Sequence, residues 1–258
     1  MNLVFDGIET VNILGINIAA INMPMLIDAT VGHLQDMKGK YICVSNVHTV
    51  ITAYDDVTYR KIQNESILNI PDGGPLSTLG RWLGYKKMQR TFGPSYMINI
   101  LKVSATKGYR HFLYGSTPET INKLRKSIEK HYPGVCIVGH YSPPFRELTK
   151  EENRNIIKMI KECEPDFIWV GLGAPKQERW MYDHKGEFDA VMVGVGAAFD
   201  YISGNIKRAP KWMQKCNMEW LYRLIQDPKR LFARYLYTNT KFILLVFKAF
   251  LFKEFKKK

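Results

Sequence analysis

The stretch DFIWVGLGAPKQERW, residues 166–180, decides how the chain is read. An apolar run too short for an ordinary helix ends in Gly171-Leu172-Gly173. A helical pattern then opens near Pro175, with Lys176, Gln177 and Glu178 in its first turn. Strand, glycine-bearing loop and helix N-terminus in that order is the unit from which nucleotide-binding α/β proteins are built.

Outward from this unit the same grammar repeats. Apolar runs stand at YICVSNV (41–47), ILNI (67–70), HFLYG (111–115), VCIVGHY (135–141) and AVMVGVG (190–196), with helical patterns between them. Residues 116–132 have Ser116 or Thr117 as a cap, Pro118 in the first turn and Ile121, Leu124 and Ile128 on one face. Residues 149–163 begin with Thr149 and carry Glu152 three positions on, the spacing of a capping box. The expected fold is α/β and Rossmann-like, a largely parallel sheet flanked by helices.

Composition sets further bounds. A chain of 258 residues can bury a core without cross-links. Its four cysteines, Cys43, Cys136, Cys163 and Cys216, show no C-x-x-C spacing, so they read as reduced, mostly buried thiols of a cytoplasmic protein. The start, MNLVFDGIETVNILG, has an early acid and no basic n-region, which argues against a secretory signal. Of the net charge of +13, residues 208–258 carry +10, from thirteen Lys/Arg against Glu219, Asp227 and Glu254. These residues show helical patterns broken near Asp227-Pro228, so the chain divides into an α/β core, 1–203, and a basic helical appendage, 204–258. The apolar run FILLVFKAFLF (242–252) contains Lys248 and falls short of the roughly 20 apolar residues that span a bilayer. It reads instead as an interfacial helix on a membrane surface, although its apolar residues could also meet a second subunit in a homo-oligomer.

Ligands of open parallel sheets gather beyond the carboxyl ends of the strands. In PDGGP, Asp72 reads either as a turn residue or as a lone active-site base; Gly73 and Gly74 clear side-chain bulk beside it. Asn46, His48 and Thr49 follow a strand and could cap a helix or contact a ligand. Arg90 precedes the Phe92-Gly93-Pro94 turn, where its guanidinium could grip a diphosphate or simply face solvent. Gly173, Lys176 and Gln177 lie where a helix N-terminus favours an anion, while Glu178 reads as compensation of the helix dipole. The fragments at 171–176 and 194–199 lack the third glycine of a dinucleotide fingerprint, which leaves a dehydrogenase or other Rossmann-like nucleotide enzyme as the alternative. No D-x-D, P-loop or G-x-S-x-G occurs, so the expected metal set is none, and leaving-group charge would fall to arginines, lysines and helix ends. A non-catalytic basic membrane binder is a further alternative. No nucleic-acid module is evident, and the cationic tail alone would bind any polyanion.

Eight ordered motifs carry a resemblance: SNVHTVITAYDD, IPDGGPL, RTFGPSYM, YSPPFREL, WVGLGAPKQERW, VGVGAAFDYISG, RAPKWMQ and MEWLYRLIQDPKRLFARYL. Together they resemble the WecG/TagA/CpsF glycosyltransferases of bacterial surface polysaccharide and teichoic acid synthesis. The resemblance implies inverting, metal-independent transfer of an N-acetylmannosamine-type sugar or related hexose. The donor would be a UDP-sugar, a substrate rather than a cofactor, and the acceptor a saccharide on undecaprenyl diphosphate. It implies Asp72 as general base, Asn46, Arg90 and Gln177 as substrate ligands, and carboxy-terminal arginines at Arg223, Arg230 and Arg234. Residence would be peripheral, on the inner face of the cell membrane. One departure is Val44, where the family often has threonine two positions before the asparagine; Ser45 or Thr49 could supply the hydroxyl.

Overall fold

A computed structural model of the chain describes residues 7–215 and 218–252. Cys216 and the lysines at 253 and 256–258 lie outside the described residues. The centre is a six-stranded, wholly parallel sheet built from β3 (Tyr41–Ser45), β4 (Leu68–Pro71), β5 (Arg110–Gly115), β6 (Cys136–Tyr141), β7 (Phe167–Gly171) and β8 (Val191–Gly194), in the order β4-β3-β8-β7-β5-β6. All six were expected from their apolar runs, and the two-sided burial that makes the runs continuous is visible in β7. Its Phe167 and Trp169 join one core cluster with Leu113, Leu124 and Val191, while Ile168 and Val170 join another with Phe112, Ile160 and Met192 on the opposite face.

The two capped helices form as their sequences direct. Thr117 accepts a hydrogen bond from the Thr120 N–H at 3.2 Å and starts the helix Pro118–His131, whose Ile121, Leu124 and Ile128 are buried. Thr149 and Glu152 make the reciprocal capping box of the helix Lys150–Glu162, and Arg146 grips the Glu152 carboxylate with both terminal nitrogens, at 2.8 and 2.6 Å.

An antiparallel hairpin, β1 (Thr10–Ile13) and β2 (Ile16–Ala19), was not anticipated. Its two loop residues, Leu14 and Gly15, have φ of 52° and 93°. Such loops normally announce themselves with Asn-Gly or Asp-Gly, and a leucine in the first position hides the signal. The thiols also differ from expectation: Cys43 is buried, but Cys136 is exposed and Cys163 only half-buried, because the latter two lie near the far edge of the sheet.

The basic appendage forms three helices, Lys211–Lys215, Glu219–Gln226 and Pro228–Leu251. The last, 24 residues and so roughly 36 Å long, buries Leu231, Thr238, Phe242 and Ala249 along one stripe. Phe242 enters a cluster with Val50, Ile51, Leu76 and Leu79 of the core and the hairpin's Ile13 and Ile18. Polar contacts fasten it further, since the Tyr237 hydroxyl donates to Asp55 Oδ2 at 2.8 Å and Lys241 pairs with Asp55 Oδ1.

Candidate active site

The site begins at two neighbouring strand ends. Register pairs Ser45 with Pro71, and the Asp72 N–H donates to the Ser45 carbonyl at 2.8 Å, so Asn46 and Asp72 leave the sheet side by side. Asn46 caps the helix Val47–Asp55: its Oδ1 accepts from the Thr49 N–H at 3.2 Å, while Thr49 Oγ1 accepts from the Asn46 N–H at 2.9 Å. The cap reading therefore holds, and Asn46 also lines the cavity described below. Thr49 does not line it; its hydroxyl is spent within the cap.

The Asp-Gly pair is not the tight turn its composition suggested. The chain passes from β4 through Asp72 straight into the helix Gly74–Trp82, with Gly73 as its N-cap at φ −85°, a value open to any residue. A Cβ on Gly73 would meet Asn46 Cα and Cβ at 3.6 Å, an ordinary contact, so neither backbone angle nor packing demands glycine there.

Asp72 keeps about a fifth of its side-chain surface, and its Oδ1 is buried without a hydrogen-bond partner among the described residues. Burial raises its pKa above the ordinary carboxylate value; the cations of Arg90 and Arg223 pull the other way, and Glu219 adds to the rise. Arg90 Nε donates to the Asp72 backbone carbonyl at 2.6 Å, its Nη2 stands 3.8 Å from Asp72 Oδ1, and its Cζ lies 4.5 Å from the centre of the Phe92 ring.

Around this carboxylate lies a cavity of about 480 Å³, large enough for part of a sugar nucleotide. One wall is the core, with Asn46, His48, Asp72, Gly73, Gly74 and Arg90; the other is the appendage, with Glu219, Trp220, Arg223, Arg234 and Tyr235. Arg223 stands 5.7 Å over the Tyr201 ring; burial works against its charge, but Tyr201, Tyr235, Asp72 and Glu219 more than restore it, so its pKa is raised. His48 is pushed down to about 4, mainly by burial and further by Arg234, and is a neutral imidazole at neutral pH. Among the described residues no three His, Cys, Asp or Glu side chains converge as a metal cluster.

Of the residues singled out from sequence, Asn46, Asp72, Gly73, Gly74, Arg90, Arg223 and Arg234 line this cavity, and Thr49, Gly173, Lys176, Gln177 and Arg230 do not. Arg230 is exposed and bonded to Asp227, and Lys176 is exposed at the start of the helix Lys176–Asp183. Gln177 turns inward: its Oε1 accepts from the Gly173 N–H at 3.2 Å and its Nε2 donates to Glu178 Oε1 at 2.7 Å. Glu178, expected to compensate the helix dipole, does stand in the first turn of Lys176–Asp183 but as a fully buried carboxyl, and burial pushes it up to about 7. The sequence reading missed Glu219, Tyr201, Phe92 and Arg208. Glu219 had a faint signal, as one of three acids within the strongly basic 208–258.

The arrangement offers a buried carboxylate oxygen that has no hydrogen bond among the described residues and only a 3.8 Å ion pair with Arg90, a combination that can take a proton from a hydroxyl and hold a phosphate. Comparison with known proteins identifies the family. The chain is 33% identical over 211 residues, covering 81% of itself and 80% of the relative, to the N-acetylglucosaminyldiphosphoundecaprenol N-acetyl-beta-D-mannosaminyltransferase of Bacillus subtilis (strain 168). It is 30% identical over 224 residues, 86% of each chain, to the enzyme of the same name from Staphylococcus aureus (strain MW2). The model of the Glycosyl transferase WecG/TagA/CpsF family matches residues 11–256, core and appendage together, and the chain belongs to that family of glycosyltransferases.

Proposed function

We propose that this glycosyltransferase moves N-acetylmannosamine from a UDP-sugar to N-acetylglucosaminyl diphosphoundecaprenol, with inversion, without a metal, and with Asp72 as general base. The acceptor and the transferred sugar are those in the relatives' name. The β configuration in that name is the product expected when an α-linked donor is inverted once. In that step the acceptor hydroxyl oxygen forms the new bond to the anomeric carbon. The bond from that carbon to the diphosphate oxygen breaks, UDP leaves with the electron pair, and the hydroxyl proton passes to Asp72. A positioned general base contributes about 10² to 10⁴ in rate.

The observation that carries the reading is Asp72 Oδ1, buried at the cavity yet without a hydrogen-bond partner among the described residues. Arg223 and Arg234 on the opposite wall supply charge for the leaving diphosphate, a role metal ions fill elsewhere. No described helix is long and apolar enough to cross a membrane. The outward side of Pro228–Leu251 nonetheless shows Leu244, Phe247 and Leu251 to solvent, with Lys248 among them, and supports a peripheral position on an anionic membrane surface. The test is a panel of UDP-sugars incubated with N-acetylglucosaminyl diphosphoundecaprenol, with and without EDTA, reading product mass and UDP release. One new glycosidic product from UDP-N-acetylmannosamine, with UDP released equally in both arms, is expected. Transfer of a different sugar, or loss of transfer under EDTA, would overturn the corresponding part.

A further inference from the structure

Arg90 is fastened at every face except the one that matters for Asp72. Its Nε is held by the Asp72 backbone carbonyl at 2.6 Å, its Nη1 by Glu219 Oε2 at 2.7 Å, and its plane by the Phe92 ring at 4.5 Å. A guanidinium is rigid and planar, so fixing Nε and Nη1 also fixes Nη2, which stops 3.8 Å from Asp72 Oδ1. Glu219 belongs to the appendage helix Glu219–Gln226, 129 residues along the chain from Arg90, and its side chain is only 4% exposed.

We propose that Glu219 is a positioning residue that holds the Arg90 guanidinium off the Asp72 carboxylate, so that the base is free to take a proton only when the appendage is docked. The proposal rests on the assignment of Asp72 as base. Without Glu219 the nearest anion left to Arg90 is Asp72 itself. A guanidinium released from Nη1 would close the 3.8 Å gap and pair with Oδ1, the oxygen that must receive the proton. Such a pair stabilises the ionised carboxylate and makes it a weaker base.

The dependence runs both ways. A buried carboxylate needs partners, and Glu219 has Arg90 on one oxygen, while the other has no hydrogen bond among the described residues and only Arg208 Nε at 3.9 Å, so Arg90 is its principal partner. Arg208 also lies over the Phe92 ring, at 4.8 Å, so Phe92 spaces the two guanidiniums that receive Glu219. The groups facing Asp72 are then Arg90 and the Gly93 N–H from the segment entering the helix Gly93–Lys107, Tyr201 from Ala198–Ile202, and Glu219 and Arg223 from the appendage. Arg90 of the core is the first of these charges, and docking of the appendage adds Glu219 and Arg223, of opposite sign, beside it.

The test is the pH profile of kcat/KM for wild type, Glu219→Gln and Glu219→Asp, with Asp72→Asn as reference and thermal unfolding as a check on folding. Glu219→Gln is expected to move the acidic limb at least ~0.5 pH unit downward and to lower the plateau ~10-fold or more, with the donor KM changing less than ~3-fold. Glu219→Asp keeps the charge, and stands in should the amide variant not fold; it is expected to restore the wild-type limb with a plateau between the two. A Glu219→Gln profile that keeps the wild-type limb, whether or not the plateau falls, overturns the proposal and leaves Glu219 a latch or a bystander. Turnover retained by Asp72→Asn would instead overturn the assignment of the base, and this inference with it.

Discussion

The Arg90 guanidinium donates to the backbone carbonyl of Asp72 at 2.6 Å yet meets its carboxylate only as an ion pair of 3.8 Å, so the short hydrogen bond goes to the peptide and not to the carboxylate. Replacing that carboxylate should separate chemistry from architecture. Asp72→Asn is expected to cut turnover at least ~10²-fold while UDP still binds, as measured by product formation and by titration calorimetry. Because burial disfavours the ionised form, the amide should also raise the melting temperature at neutral pH.

The raised pKa of Asp72 fixes the sign of the rate profile. With the ionised form as the proposed base, kcat/KM should be lost as pH falls through a value above the ordinary 3.8 of the carboxyl, and recovered above it. Fitting the acidic limb of kcat/KM for wild type checks this; a limb at or below 3.8 would contradict it.

Glu178 makes a stability prediction remote from the cavity. Its folded pKa of about 7 exceeds the ordinary 4.5, so the folded state binds the proton more tightly than the unfolded one. Stability from this group is then greatest below pH 4.5 and lost as pH rises to about 7, a change on the order of 2–3 kcal/mol. Urea unfolding of wild type and Glu178→Gln at pH 5 and pH 8 should show the loss in wild type and its near absence in the variant.

The capping box at Thr149 gives a control far from the chemistry. Thr149→Ala removes the acceptor of the Glu152 N–H bond and should cost about 1 kcal/mol of unfolding free energy, with turnover unchanged. Chemical denaturation alongside the activity assay measures both.

The outward side of the last helix predicts a separation of binding from catalysis. Leu244, Phe247 and Leu251 follow helical spacing and are exposed. Replacing all three by serine should weaken sedimentation with anionic vesicles at least ~10-fold, yet change turnover on a short-chain, water-soluble acceptor by less than ~3-fold.

How much of this was legible in the sequence follows from what each residue depends on. Five of the six sheet strands were readable because burial on both faces writes an unbroken apolar run, the edge strand β6 by its apolar residues although it is only partly buried, and the two helices at 118–131 and 150–162 because their caps lie within three residues of the first turn. The hairpin escaped because Leu14 occupies a left-handed position normally marked by Asn or Gly. That Asp72 and Asn46 face the cavity was legible because both stand at strand ends, a local feature of the sequence. Gln177 shares that feature, but the direction of its amide is decided by Glu178 and the backbone of Gly173, which no loop composition records. Glu219 was unreadable because its meaning lies in Arg90, 129 positions away.

That separation also has a meaning in time. A ribosome adds residues at about 5–20 per second, so the 129 positions between Arg90 and Glu219 correspond to roughly 6–26 seconds of synthesis. Through that interval Asp72 and Arg90 exist without the wall to which Glu219 and Arg223 later contribute. The cavity at Asp72 gains its second wall only once the helices Glu219–Gln226 and Pro228–Leu251 have been made.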